Sequence, residues 1–224
     1  MHVGKLMARM NPKGMRYSIG NGGIPDLTSQ DIAAGLGMVP DGIGRELLCR
    51  KWWPDGAALT ATQTDVMLAD IQRAEWMRRE NAMRDAIWDV ASHTGGESQR
   101  KATRAYARAH ERQWPMWIAC VETGEVSPRY HGVRVLVLTE LSRPGLCVAC
   151  GGRGNVTPDI GAVHACTDCR GTGRRRISDR ARAKVIGITE GGYRHTWRPV
   201  YEWTMRTCED ALVTAERQLA AACR

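Results

Sequence analysis

Cys147 to Gly173 read CVACGGRGNVTPDIGAVHACTDCRGTG, and this stretch decides how the rest of the chain is interpreted. Two pairs, Cys147/Cys150 and Cys166/Cys169, are separated by fifteen residues, giving C-x2-C-x15-C-x2-C. That spacing is the one expected of a structural zinc site. A C-x-x-C turn aims two thiolates at one point, and two such turns joined by a hairpin complete a tetrahedral S4 shell with Zn–S of ~2.3 Å. Such a shell is closed, whereas catalytic zinc keeps a position for water, so Cys147, Cys150, Cys166 and Cys169 are expected to hold one structural Zn2+ ion. His164 lies two residues before Cys166 and is an alternative ligand only if one of the four cysteines does not serve. Glycines follow each pair at matching offsets, Gly152 and Gly154 in one half and Gly171 and Gly173 in the other. The halves therefore predict two pseudo-symmetric knuckles of a small ribbon, with backbone N–H groups turned towards the sulfurs.

Working outward, the densest charge in the chain comes next. Arg170, Arg174, Arg175, Arg176, Arg180, Arg182 and Lys184 face Asp179 as the sole acid of that stretch. Clustering of this kind is the electrostatic footprint of a phosphate-binding surface, and a solvated basic face is the competing reading. Ser178 is placed to cap a helix through about Ile186, Gly187 breaks it, and Thr189 leads into a second helix carrying Val200, Tyr201, Met205 and Leu212. Helix, glycine turn, helix is a DNA-binding pattern. The start of its second helix faces base edges, which nominates Tyr193, Arg194, His195 and Arg198, with Arg174–Arg176, Arg180, Arg182 and Lys184 on phosphates. Pro199 leaves two registers open: a kink in the second helix, or a place in its first turn with Thr196 as cap.

The remainder reads as helix. Leu27–Trp53 predicts two short helices around a Gly37–Gly44 turn, with Thr28 or Ser29 as N-cap and Asp31 in the first turn. Asp65–Ala91 carries Met67, Ile71, Ala74, Met77, Met83, Ile87 and Val90 at helical spacing, a stripe that reads as core. Glu97–Trp114 predicts a helix with Arg100, Arg104, Arg108 and Arg112 on one face, a solvated face or a contact with phosphate or acidic protein. Val133–Leu141 fits a strand or a buried helix, and helix is preferred. Residues 1–25 are rich in Gly and basic without an acid, which predicts a flexible arm. The isolated Cys49, Cys120, Cys208 and Cys223 read as small buried hydrophobes.

The chain has 224 residues, a net charge of +8 and 43% hydrophobic residues, an ordinary globular composition with a basic bias. It has eight tryptophans and no phenylalanine, so aromatic packing must come from Trp and Tyr. No run approaches the roughly 18 apolar residues of a membrane span, and the first residues lack the apolar core of a signal peptide, so a cytosolic protein without a membrane partner is expected. No nucleophile–base–orienter set, phosphate-loop glycines or paired carboxylates occur in a motif, so an enzyme is not expected. Glu122/Glu125 and Glu209/Asp210 are loose acidic pairs that read as solvent-facing.

Three stretches together resemble the lambda-type phage Q antitermination proteins. They are Leu27–Trp53 (LTSQDIAAGLGMVPDGIGRELLCRKWW), the paired CVACGGRG and CTDCRGTG knuckles, and Arg176–Leu212 with Arg198-Pro-Val-Tyr-Glu202 near its middle. The knuckles alone also occur, in four copies, in chaperone J-proteins, so the order of parts carries the resemblance, over about half the chain. Trp52–Thr123 lies outside it. The resemblance implies a late-gene regulator in the bacterial cytoplasm. Such a protein binds double-stranded promoter DNA and loads onto paused RNA polymerase with sigma still bound. It contacts the polymerase flap and sigma region 4, narrows the RNA exit channel and makes polymerase read through terminators. The expected fold is mainly α, a helical protein with an inserted small zinc ribbon and a helix-turn-helix-like DNA-binding unit. The expected organisation is a basic arm at 1–25, a helical region at 26–123 that contacts polymerase in part, and a DNA-binding domain at 124–224 with the ribbon at 143–176 and C-terminal helices at 177–224. The alternatives are a zinc-ribbon promoter regulator without antitermination, and a chaperone-like zinc module that binds proteins.

Overall fold

A computed structural model of the chain describes Val3, Met7, Met10 and residues 27–53, 56–117, 128–142, 145, 147, 149–156, 162–173 and 177–223. The architecture is mainly helical. The helices are α1 (Ser29–Gly37), α2 (Ile43–Trp52), α3 (Ala61–Ser92), α4 (Gly96–Glu111), α5 (Pro128–Ser142), α6 (Asp179–Ile186), α7 (Glu190–Gly192) and α8 (Arg198–Ala222). A π-helical segment, Tyr193–Trp197, joins α7 to α8, and two short strands, β1 (Asn155–Val156) and β2 (His164–Ala165), pair antiparallel. Among the described residues no helix is long and apolar enough to cross a membrane. The chain divides into two compact units whose dividing points fall inside α3, α5 and α8 and just before α6. Of the expected arm at 1–25 only Val3, Met7 and Met10 are described, and all three are buried.

The first unit comprises Met1–Thr64, Val135–Ser178 and Met205–Arg224. Thr28 starts α1 with a capping box. Its hydroxyl accepts the Asp31 N–H at 3.2 Å and the Asp31 carboxylate accepts the Thr28 N–H at 2.8 Å, satisfying two donors that a helix start leaves open. The Thr28 O–H also donates to that carboxylate at 2.7 Å, and this bond, with that from the Thr28 N–H, holds the Asp31 carboxyl below its ordinary pKa. The helix buries Ile32 and Leu36, one turn apart. Two glycines set the approach to the C-terminal part of α8. A Cβ on Gly35 would stand 2.7 Å from Cys223 Sγ, and one on Gly44 would stand 2.3 Å from the Ala211 carbonyl oxygen. Buried Glu46 accepts the N–H groups of Ala58 and Leu59, each at 3.2 Å, and Arg50 at 3.2 Å. Arg50 in turn donates to Leu59 O and Thr64 Oγ1, so the connection into α3 is fixed by a fully partnered carboxylate.

The second unit comprises Asp65–Arg134 and Asp179–Thr204. Its centre is aromatic. The ring centroids of Tyr130 lie 4.5 Å from Trp117, 4.9 Å from Trp197 and 6.4 Å from Trp114, and Trp114 meets Trp203 edge-on at 5.2 Å. Offset and edge-on rings at these separations add to what their area burial contributes. Burial also pushes the Tyr130 phenol up, and its O–H donates to Pro115 O at 2.6 Å. Beside the rings, Arg134 makes a bidentate pair with Asp65 (2.7 and 2.9 Å) and donates to Gln72 Oε1, while Gln72 donates to Thr204 at 2.9 Å.

Most expected helices form, with two differences. The buried stripe of α3 runs through Leu68, Gln72, Glu75, Met83 and Ala86, whereas Met77 and Ile87, expected in the core, are about half exposed. Hydrophobic spacing misplaced the face because the face includes polar side chains that are buried with partners: Gln72 with Arg134 and Thr204 from other helices, Glu75 with Arg78 and Arg79 of its own helix. Next, α4 stops at Glu111 rather than Trp114, since Trp114 precedes Pro115 and such a residue disfavours helical geometry. The apolar run Val133–Leu141 is helical as preferred, part of α5.

Candidate metal centre

The chain returns on itself after nineteen residues with the same geometry, Cys147 matching Cys166 and Cys150 matching Cys169. Gly152 N–H donates to Cys147 O at 3.2 Å and Gly171 N–H to Cys166 O at 3.1 Å. Cys147 N–H donates to Gly173 O at 2.9 Å, and Cys166 N–H to Gly154 O at 2.8 Å, so each half is closed by the last glycine of the other. Gly154 N–H points at Cys150 Sγ (3.2 Å) and Gly173 N–H at Cys169 Sγ (3.3 Å). The glycines are required twice over. Gly154 and Gly173 have φ of +78° and +70°, and a Cβ would fall 2.4 Å from Gly171 O in the first case and 2.3 Å from Gly152 O in the second. The expected glycine offsets thus mark a two-fold exchange of backbone bonds.

The four sulfurs are buried and lie within 4.8 Å of one another. Cys147 Sγ is 3.9 Å from Cys166 Sγ, and Cys150 Sγ is 3.8 Å from Cys169 Sγ. A tetrahedral S4 shell at ~2.3 Å has edges of about 3.8 Å, so the spacing is that of a metal shell, and it is compatible with zinc. It is unlike a disulfide, whose sulfurs are bonded at ~2.05 Å. Acidity also differs around the shell. For Cys147 the Cys150 N–H favours the thiolate, but burial and the shared protons of Cys150 and Cys166 outweigh it and push the thiol up to about 11. Burial opposes ionisation of Cys169 too, yet the Gly173 N–H and the neighbouring thiols bring it down to about 7. Among the described residues these four cysteines form the one such group, and His164 is exposed on β2, not part of it.

The basic segment is built differently. Arg174, Arg175 and Arg176 lie outside the described residues. Arg180 and Lys184 are exposed on α6, and Arg182 is half-buried with its guanidinium 4.3 Å over the Tyr201 ring. Thr189 accepts the Gly192 N–H at 3.1 Å and starts the second helix. Of the residues nominated to read bases, Arg194, His195 and Arg198 are exposed. Tyr193 corrects that expectation: it is fully buried, 6.2 Å from the Tyr201 ring, and serves the core. Asp179 holds both arginines, Arg194 at 3.4 Å and Arg198 at 3.2 Å, and each has a second carboxylate one turn away, Glu190 or Glu202. The Pro199 alternatives resolve into neither simple form. Pro199 lies in the first turn of α8, but the helix runs through it from α7. Since Pro199 has no N–H to give His195 O, the preceding turn widens, and Arg198 N–H reaches back to Tyr193 O. Arg100, Arg104 and Arg108 are exposed along α4, and Arg112 is exposed just after its end.

One residue of this region was not singled out from sequence. Arg129, in the first turn of α5, lines the same cleft as Lys184, Thr189 and Thr196. Its signal is only its spatial neighbour 55 positions away, which spacing does not carry. Compared with protein families, curated proteins and solved structures, the chain matches none.

Proposed function

We propose that this protein is a DNA-binding transcription factor of the Q antitermination type, stabilised by one structural zinc ion on Cys147, Cys150, Cys166 and Cys169. Its partners are double-stranded promoter DNA and sigma-containing RNA polymerase, and it acts by binding, not as an enzyme. The observation that carries the reading is the segment from α6 through the turn at Gly187 to the Thr189-capped helix, which holds Arg194, His195 and Arg198 on an exposed side of a rigidly packed element. In this role Arg180 and Lys184 meet phosphates, and Arg194, His195 and Arg198 meet base edges. Tyr193 is left to the core. The ion pairs of Arg194 and Arg198 do not stand in the way. Both arginines are about half exposed, and surface pairs of this kind contribute under about 1 kcal/mol, so a phosphate or a guanine edge competes with Asp179 on favourable terms. The same pairs hold the arginines in place until DNA arrives. The closed S4 shell supports a structural rather than a catalytic metal.

Run-off transcription on a late promoter followed by a terminator, with purified polymerase, tests the reading. Read-through that requires both the protein and an unscrambled promoter site is expected. A specific footprint without read-through would instead make the protein a conventional promoter regulator. Binding that is insensitive to salt and to DNA sequence would favour a protein-binding zinc module, because phosphate contacts make affinity fall steeply with salt.

A further inference from the structure

The geometry points to a phosphate-binding pocket at the junction of α5, α6 and α7, formed by Arg129, Lys184, Thr189 and Thr196, that takes a phosphodiester of the nucleic-acid backbone. It rests on the DNA-binding reading for the source of the phosphate, not for the pocket.

The cleft has a volume of about 660 Å³, and Gly187 and the indole of Trp197 complete its wall. Gly132 explains how two cations so far apart in sequence come to share it. A Cβ there would lie 3.1 Å from Ile186 Cα, so the absence of a side chain lets α5 ride directly on the last turn of α6. Arg129 is one turn before Gly132 on α5, and Lys184 is on that last turn of α6.

Charge favours an anion. Among the described residues no carboxylate lines the cleft. The acids of the neighbouring segment are already engaged, Asp179 by Arg194 and Arg198 and Glu190 by Arg194, while no ion pair is seen for Arg129 or Lys184 among the described residues. A comparable cleft between α3 and α4 makes the contrast. Its arginines share the wall with Asp85 and Asp89, and Arg78 and Arg79 are paired with Glu75. Hydroxyls add directed donors. The Thr189 oxygen accepts the Gly192 N–H, which leaves its own proton for an acceptor in the cleft. Thr196 and Trp197 reach the cleft from the π-helical turn, a geometry that recurs at functional sites. Two cations and two hydroxyls lining one cleft suit a phosphate, which offers several acceptor oxygens and a full negative charge, with room left for the adjoining backbone.

The test compares the full-length, metal-loaded protein with its Arg129→Gln/Lys184→Gln variant; both side chains are exposed, so the fold is kept, and circular dichroism checks it. Amide resonances of Gly187 and Gly192 are followed while inorganic phosphate, and separately a mixed-sequence duplex, is added. In the wild type both ligands are expected to shift these resonances saturably. In the variant the shifts vanish, duplex affinity drops roughly tenfold, and the slope of log affinity against log salt shrinks by about 1, as for one lost phosphate contact, for specific and scrambled duplexes alike. Unchanged phosphate shifts in the variant, or none in the wild type, would overturn the pocket, and duplex binding with an undiminished salt slope would do so while leaving the DNA reading intact. Phosphate shifts in a wild-type protein that binds no duplex would keep the pocket, assign it to a free phosphate or nucleotide, and overturn the nucleic-acid source together with the DNA reading.

Discussion

The cysteine knuckles and the aromatic centre of the second unit reach order by opposite means. Around the four cysteines Val156 is the partly buried hydrophobic side chain that packs against the cluster, and β1 and β2 contribute two residues each. Around Tyr130, four tryptophans from two other parts of the chain interlock, and a bidentate ion pair sits beside them. In the first region little apolar area stands against the chain entropy of ordering it, at about 1–2 kcal/mol per residue, and the proposed structural ion would supply the difference. In the second, burial and ring contacts suffice. The lesson is that a segment rich in glycine and turns, with few apolar side chains to bury, is where four cysteines close enough to hold a metal are found.

The largest expected effect separates the two regions directly. Stripping the metal with a chelator removes the apparent binding free energy of a structural zinc, roughly 10–16 kcal/mol at neutral pH. The knuckles are expected to lose order, exposing Cys147, Cys150, Cys166 and Cys169 to a thiol reagent, while the near-ultraviolet dichroism of the tryptophans persists. Protected thiols after chelation would show that the knuckles fold on backbone exchange alone, and the comparison would break.

The converse perturbation is Asp65→Asn. It strands Arg134, which is almost wholly buried, and removing one partner of such a pair costs about 3 kcal/mol. Thermal unfolding of the aromatic region should shift down with metal content unchanged. The pH dependence has a defined sign. Burial works to raise the Asp65 carboxyl, but hydrogen bonds and charge from Arg134, with His131, outweigh it and hold the pKa below the ordinary value of 3.8. A depressed folded-state pKa gives stability that is complete above the unfolded value and is lost as pH falls through the folded one. Below about pH 4 the wild type should therefore lose stability more steeply than Asp65→Asn, in equilibrium unfolding at each pH.

What the sequence disclosed follows the same division. The knuckles were legible because a metal shell is a local pattern: ligand spacing and glycine offsets are written in consecutive residues. The helices were legible in outline, and Thr28 with Asp31 declared the start of α1. The face of α3 was not, because Gln72 takes its partners from Arg134 and Thr204, 62 and 132 positions away. Tyr193 was misjudged for a related reason. Position at the start of a reading helix suggested exposure, yet the widened π turn after it and the packing of Tyr201 put its ring inside. Arg129 was invisible because Gly132 brings α5 onto α6 by the absence of a side chain.

The finest distinction lies between the two knuckles themselves. At the residue after the second cysteine of each pair the backbone agrees but the residue type does not: Gly151 at φ +57° and Arg170 at φ +53°. A left-handed conformation costs a residue with a Cβ about 1–2 kcal/mol, and glycine loses about 0.5–1 kcal/mol more backbone freedom on folding. Arg170→Gly should therefore stabilise the second knuckle by about 0.5–1 kcal/mol, read as slower thiol release under a zinc-binding competitor. Gly151→Arg should weaken the first by a similar amount, since open space surrounds a Cβ there and strain alone is added. Because the swap keeps net charge, the double variant Gly151→Arg/Arg170→Gly should return to wild-type stability. A double variant far from wild type would show that the halves, alike in their backbone bonds, differ in the energy of those bonds, and the two-fold description would hold for shape alone.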